Sequence, residues 1–299
     1  MPNQKEKLLE RVRSIHIAHP RYKQIHAMLD SLREDQRNGA PRHMFVIGDS
    51  GVGKSQLFKR YKELNPGKTI IDDMGTEIDI RPVLYAILPD PFTLLEFYQT
   101  IVKALGAPQF TGARIGDVKR QAFALIEKQG VELLILDEMN HILISRYVTN
   151  KEAMEAIKHV SNIGDIAIVL AGNPKSLELR KIDFQYFRRF PKQELYRFKE
   201  CDQDFCDVLR AVENHLCLQK ELGLGDPNTE IPQLLYSLSY GILGILTPIL
   251  QTTFRNLIAD YEIDDVTNPL LFLDKVEMAQ REIVGDTSEE EFKKMLDSQ

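Results

Sequence analysis

The chain has 299 residues, 43% of them hydrophobic, which is enough for a packed core in one large domain or two smaller ones. Its longest apolar stretches, residues 166–171 and 242–250, are too short or too interrupted to span a bilayer, which excludes a helical membrane protein and predicts a cytoplasmic location. The net charge of −6 argues against indiscriminate coating of nucleic acid, yet residues 1–42 hold nine Lys/Arg against five Asp/Glu while residues 257–299 hold four against twelve.

Apolar residues at helical spacing (Leu8, Leu9, Val12 and Ile15, then Ile25, Met28, Leu29 and Leu32) predict a helical N-terminal extension over residues 1–40, split at His19-Pro20 and ended by Asn38-Gly39-Ala40-Pro41. Met44-Phe45-Val46-Ile47 reads as a buried strand leading into a helix, with a second strand near Thr69-Ile70-Ile71 and a third over 82–87. An amphipathic helix follows over 91–105, closed by Gly106, then a polar loop over 109–116 and a helix to Gln129. Leu133-Leu134-Ile135-Leu136-Asp137-Glu138 is a strand ending in two acids, followed by a helix over 150–162 and a buried strand over 166–171. A last strand is expected over 193–198. Strands and helices alternating in this way predict an α/β fold with a doubly wound, mostly parallel sheet over residues 41–200. Beyond Asp202 helical patterns dominate, giving a helical lid over 201–260 and an acidic helical tail over 261–299. Cys201, Cys206 and Cys217 are too few, and wrongly spaced, for a disulfide or zinc framework.

Two segments carry chemistry. Gly48-Asp49-Ser50-Gly51-Val52-Gly53-Lys54-Ser55, leading into Gln56, has the G-x-x-x-x-G-K-S spacing of a phosphate-binding loop, and it stands where such a loop must, between a strand and a helix. Its glycines let successive N–H groups converge on one anion at the positive end of the helix dipole. Lys54 is positioned to reach the β- and γ-phosphates of ATP, and the Ser55 hydroxyl to coordinate Mg²⁺. At the carboxyl end of the second segment, where ligands of open α/β sheets gather, Asp137 is expected to hold Mg²⁺ through water and Glu138 to polarise the attacking water. The pair favours hydrolysis over binding alone.

Asn173 ends the strand over 166–171, placed to hydrogen-bond the attacking water or the γ-phosphate, although Asn before Pro174 is also a common turn starter. Arg188 and Arg189 lie between aromatics just before the last strand. In a ring or filament this position faces the neighbour's nucleotide, where an arginine supplied in trans stabilises phosphoryl transfer. Arg189, which directly precedes Phe190-Pro191, is the preferred finger.

This order of phosphate loop, Asp-Glu strand, strand-end Asn, paired Arg and helical lid resembles the AAA+ P-loop ATPases. The stretches Asp137-Glu138-Met139-Asn140-His141-Ile142-Leu143, His159-Val160-Ser161-Asn162, Ile168-Val169-Leu170-Ala171-Gly172 and Phe187-Arg188-Arg189-Phe190 look more narrowly like the TniB/TnsC family of transposition regulators, related in role to the phage Mu B protein. The resemblance covers roughly residues 8–260. It implies a bacterial ATPase that oligomerises as a ring or filament on duplex DNA and recruits a DDE-type transposase. It also implies a TniQ-type targeting adaptor, CRISPR-associated in some systems. One departure is the lid, where Ser239-Tyr240-Gly241-Ile242-Leu243-Gly244 is followed by no arginine until Arg255, so that sensing of ATP by a lid arginine is in doubt.

By the same resemblance, sequence-independent DNA contacts fall on Lys103, Thr111, Arg114, Lys119 and Arg120, with Arg146 and Lys151 as weaker candidates. Shallow contacts per subunit suffice if many subunits polymerise. Two other readings remain open. One is a helicase loader or replication initiator acting on single-stranded DNA, and the other is a nucleotide-switched signalling or scaffold ATPase that binds no nucleic acid.

Overall fold

A computed structural model describes residues 4–39, 41–71, 73, 75–108 and 112–285. In chain order its elements are α1 (Gln4–Arg13), α2 (Tyr22–Arg37), β1 (Met44–Ile47), α3 (Lys54–Leu64), β2 (Lys68–Ile71), β3 (Glu77–Ile80), β4 (Val83–Ile87), α4 (Leu94–Ala104), α5 (Ile115–Lys128), β5 (Leu133–Asp137), α6 (Asn140–Leu143), α7 (Asn150–Gly164), β6 (Ala167–Gly172), α8 (Leu177–Lys181), α9 (Phe184–Arg189), β7 (Lys192–Glu194), α10 (Gln203–Leu216), α11 (Ile231–Ser239), α12 (Leu243–Asp260) and α13 (Pro269–Val284). Two compact units emerge. Among the described residues, one comprises those within 23–48 and 54–195; the other comprises those within 4–22, 49–53 and 196–285.

The first unit is built on a sheet in the order β4-β5-β6-β1-β7, with every pairing parallel. Strands β1, β5 and β6 are buried along their whole length, which is why their sequences are unbroken apolar runs rather than alternating ones. The faces of α4, α5 and α7 pack on one side of this sheet, burying Phe97, Ile101, Val118, Ala122, Ile126, Met154 and Ile157. Burial is worth roughly 1.5–3 kcal/mol for each large apolar side chain, so this layer contributes substantially to the unit's stability. Local signals place the helix starts. Thr93 caps α4, and Thr149 with Glu152 forms a capping box on α7.

The strand expected near Thr69 exists as β2 but does not join this sheet. It pairs antiparallel with β3 in a separate hairpin, and its four residues are exposed. β3 was not expected, although Glu77-Ile78-Asp79-Ile80 alternates with the two-residue period of a strand. β7 is also shorter than expected. Leu195 N–H still donates to the Ile47 carbonyl at 2.8 Å, after which the chain leaves the sheet.

The second unit is helical. α1 packs on α10 and α12, and α13 packs along α12. The N-terminal extension is therefore divided, α1 belonging to this unit and most of α2 to the sheet unit. The expected tail beyond residue 260 likewise contains α13, whose Phe272, Val276 and Ala279 are buried in the same core as Leu250, Phe254 and Leu257. Helical periodicity beneath the acidic composition explains this: the charges occupy the outer face and the apolar stripe faces inward. Residues 286–299 of that tail lie outside the described residues. Cys201, Cys206 and Cys217 are not joined by a disulfide. Among the described residues no helix is long and apolar enough to cross a membrane.

Each unit buries a histidine. His19 packs on Phe198 at 5.0 Å, and burial followed by the nearby Arg21 charge lowers its pKa to about 4. His43 accepts from the Ile168 N–H at 3.0 Å, and burial followed by Arg189 lowers its pKa to about 3. The unfolded chain titrates these groups near 6.5, so it takes up protons before the folded protein does. Stability is therefore complete above that value and falls toward about pH 4. Between pH 7 and pH 5 the expected loss is about 2 kcal/mol per histidine, read from urea unfolding at the two pH values. A variant with His43→Asn should lose much of this dependence in the sheet unit.

Candidate functional site

The loop between β1 and α3 is held by its carbonyls. The Gly51 carbonyl accepts from the Gly244 N–H at the start of α12, at 2.8 Å, and the Gly53 carbonyl accepts from the Tyr22 hydroxyl at 2.7 Å. In a trans peptide the C=O and the following N–H point in opposite directions, so these two bonds turn the N–H groups of Val52 and Lys54 away from their donors. That is the orientation an anion cradle needs. The approach of α12 is close enough to require glycine on both sides. A Cβ on Gly244 would sit 2.9 Å from the Gly51 Cα and carbonyl oxygen, and Gly51 itself has φ +78°. Backbone contact thus occupies the start of the lid helix. Arg255 lies three turns further along α12 and bonds Thr252, consistent with a lid that offers no arginine at this end.

In the sheet unit, Lys54 Nζ donates to the Gly48 carbonyl at 2.6 Å, which folds the ammonium back over its own loop. Ser55, in the first turn of α3, donates to Asp137 Oδ2 at 2.6 Å. The same oxygen accepts the Tyr85 hydroxyl from β4 at 2.8 Å, while Asp137 Oδ1 accepts the Glu138 N–H at 2.9 Å. Asp137 is 1% exposed, so its oxygens depend on these donors in place of water. Burial and then the Asp137 charge raise the Tyr85 pKa, so its phenol remains a donor at neutral pH. Tyr85 belongs to none of the sequence motifs. The available signal was its place in a strand whose neighbours Leu84 and Ala86 point into the core, which turns residue 85 to the opposite face.

Glu138 has φ +60°, a left-handed conformation disfavoured for a side chain of this kind. Such strain at a strand end concentrates at functional positions. The Met139 N–H donates to the Ala171 carbonyl at 2.9 Å and ties the ends of β5 and β6 together, so Glu138 and Asn173 share one edge of the sheet. Asn173 Oδ1 accepts from Ser176 N and Oγ, both at 3.2 Å, in the turn-starting role also foreseen for it. That capping fixes the amide plane and leaves the NH₂ end as its donor.

The paired arginines differ. Arg189 donates to Ser161 Oγ at 3.0 Å and Asn162 Oδ1 at 2.6 Å on α7, and burial lowers its pKa. Arg188 is exposed on α9 beside Phe187. A cleft of about 610 Å³ includes both arginines with Met28, Arg42 and His43, but it lies at the opening residues of β1 and β7, away from the phosphate loop. The chemistry therefore does not coincide with this large concavity.

The basic residues expected to meet DNA are not brought together. Gln129 Nε2 donates to the Leu105 carbonyl at 2.9 Å, and the Arg81 N–H donates to the Gln129 carbonyl at 2.8 Å, so α4 and α5 both end at the opening of β4. At 1.5 Å per residue α5 is about 21 Å long, which separates Arg114 at its start from Lys103 by roughly that distance. Arg114, Lys119 and Arg120 lie toward the edge of the sheet that carries Asp137. Lys119 lies 5.7 Å from the Tyr98 ring, and Arg120 pairs with Asp117 on the surface at 2.5 Å. Arg146 follows α6 on the Asp137 edge and Lys151 opens α7. Thr111 lies outside the described residues.

A family model described as bacterial TniB protein matches residues 8–200. The chain belongs to the TniB family. A search of curated proteins found no match. Among solved structures, this TniB-family chain is similar to the Aeropyrum pernix ORC2 protein in ADPNP–ADP complexes, with 16% identity over 89% of this chain and 71% of that one and a TM-score of 0.59. It is also similar to the Aeropyrum pernix ORC1 protein in complex with DNA, with 15% identity over 95% and 71% and a TM-score of 0.59. Cdc6p from Pyrobaculum aerophilum gives 13% identity over 94% and 72%, with a TM-score of 0.61. At these identities the likeness establishes the fold, which is that of the AAA+ P-loop proteins.

Proposed function

We propose that this TniB-family protein is a Mg²⁺-dependent ATPase that assembles as an ATP-bound oligomer on duplex DNA and regulates transposition. The observation that carries the reading is the convergence, within the sheet unit, of Ser55 on Asp137 at 2.6 Å, with Lys54 Nζ on the Gly48 carbonyl at 2.6 Å. The N–H groups of residues 48–56 and the Lys54 ammonium would hold the phosphates. Ser55 and Asp137 are hard oxygen donors of the type Mg²⁺ takes, few enough that nucleotide phosphates and water would complete its shell. Bound there, the ion would neutralise charge developing on the transferred phosphoryl group. Glu138 would accept a proton from the attacking water, and the Asn173 NH₂ would orient that water or the γ-phosphate.

The finger in trans is assigned to Arg188 rather than the expected Arg189, because Arg188 is exposed whereas Arg189 is partly buried and held through Nη2 to Ser161 and Asn162 of its own subunit. Arg188→Ala should reduce turnover about 100-fold or more in the assembled protein without weakening ATP binding to the monomer. Arg189→Ala should instead lower the stability of the sheet unit. Turnover unchanged in Arg188→Ala returns the role to Arg189.

Duplex backbone contact is assigned to Arg114, Lys119 and Arg120, with Arg146 and Lys151 toward the same side and Lys103 outside the patch. A DDE-type transposase and a TniQ-type adaptor are the partners that family membership suggests. Binding to random duplex and single-stranded DNA, with a non-hydrolysable ATP analogue, ADP or no nucleotide, tests the reading. Analogue-dependent rings or filaments on duplex are expected in negative stain. The ORC-like fold keeps the loader or initiator reading in view, and preference for single strands would favour it. No DNA association in any state would favour a signalling or scaffold ATPase.

A further inference from the structure

Asp137 accepts three hydrogen bonds, from Ser55 on α3, from Tyr85 on β4 and from the backbone N–H of the adjacent Glu138. A carboxylate offers about four lone-pair sites. Two donors on Oδ2 occupy that oxygen fully, and the single donor on Oδ1 leaves one site there. The Ser55 hydroxyl spends its one proton on Oδ2, which points its own lone pairs away from Asp137. Tyr85 is thus the second anchor that stops the carboxylate from rotating and keeps Ser55 directed. Its strand cannot shift readily, because β4 is registered on β5 with Tyr85 opposite Ile135 and Ile87 opposite Asp137.

We propose that Tyr85 is a positioning residue for magnesium binding, acting through Asp137 to fix which oxygens of Asp137 and Ser55 are presented to the cation. The inference rests on the assignment of Ser55 and Asp137 to the Mg²⁺ side of the nucleotide. The Tyr85 hydroxyl donates to Asp137, which is why the role assigned to it is indirect. Phenylalanine at this position keeps the ring and removes one oxygen, so it isolates the hydrogen bond from packing.

The test is titration of a fluorescent ATP analogue into the full chain, in EDTA and over a series of MgCl₂ concentrations, for wild type, Tyr85→Phe, Asp137→Asn and the double variant. In EDTA, Tyr85→Phe is expected to bind the analogue within about twofold of wild type. The MgCl₂ concentration giving half of the Mg²⁺-dependent change should rise about tenfold, the shift equivalent to roughly 1.4 kcal/mol. In the Asp137→Asn background the same substitution should add nothing, because its route to the cation is already cut. Unfolding midpoints without Mg²⁺ report on the fold. An equal loss of affinity with and without Mg²⁺, a titration identical to wild type, or a full effect surviving in the Asp137→Asn background would each overturn the proposal. A wild-type protein that binds the analogue without any Mg²⁺ response would overturn the parent assignment with it.

Discussion

Lys54→Ala is expected to abolish nucleotide binding, raising the Kd for ATP by at least about 100-fold. Lys54 is the one cation at the start of α3, and its Nζ is already turned over the phosphate loop by the Gly48 carbonyl at 2.6 Å. Moving from that carbonyl to a phosphate exchanges a bond to a neutral acceptor for one to a charged acceptor, roughly doubling its strength. With nucleotide bound, the ammonium would also balance phosphate charge that the backbone N–H groups alone would leave unneutralised. Calorimetry with ATP and with ADP measures the effect. Because Lys54 is only half-buried, the unfolding midpoint should move little. Equal ATP affinity in the variant and wild type would contradict the phosphate-loop assignment itself.

Glu138→Gln should separate binding from turnover. The substitution keeps the shape and the strained backbone, since Gln gains nothing over Glu at φ +60°. What it removes is the base. Turnover should fall about 100-fold to 10⁴-fold, the range typical for loss of a general base, with ATP affinity preserved. If assembly follows the ATP-bound state, the variant should also remain assembled on DNA after wild type has dissociated, because the step that ends that state is blocked. Steady-state phosphate release and sedimentation on a short duplex report the two effects separately. Normal turnover would move the role of base away from Glu138. Normal dissociation with blocked turnover would uncouple hydrolysis from disassembly.

The contrast between Glu138 and Arg189 indicates what a sequence can carry. Residues 48–55 and 133–138 were legible because their chemistry is local. The spacing of a strand, a glycine turn and a helix start determines where N–H groups and a lysine must point, and four apolar residues before two acids determine a buried strand with carboxylates at its end. The parallel sheet followed from the same logic, since only strands buried on both faces read as unbroken runs such as Ile168-Val169-Leu170. The apolar stripe of α13 was equally present in the sequence but hidden under an acidic composition.

The remaining features depend on distances between residues far apart in the chain, for which local pattern holds no record. The tether of Arg189 to Ser161 and Asn162 arises because α9 and α7 meet. Arg114 and Lys103 are near in sequence but about a helix length apart in space because α5 returns to end beside α4. Gly244 against Gly51, Tyr22 on Gly53 and Tyr85 on Asp137 join positions 193, 31 and 52 residues apart. The sequence by itself determined the identity of the loop, the strands and the acids, because each is set by interactions within a few residues. Only the tertiary structure decided which donors orient them, because a hydrogen bond across the fold depends on packing that no single segment contains.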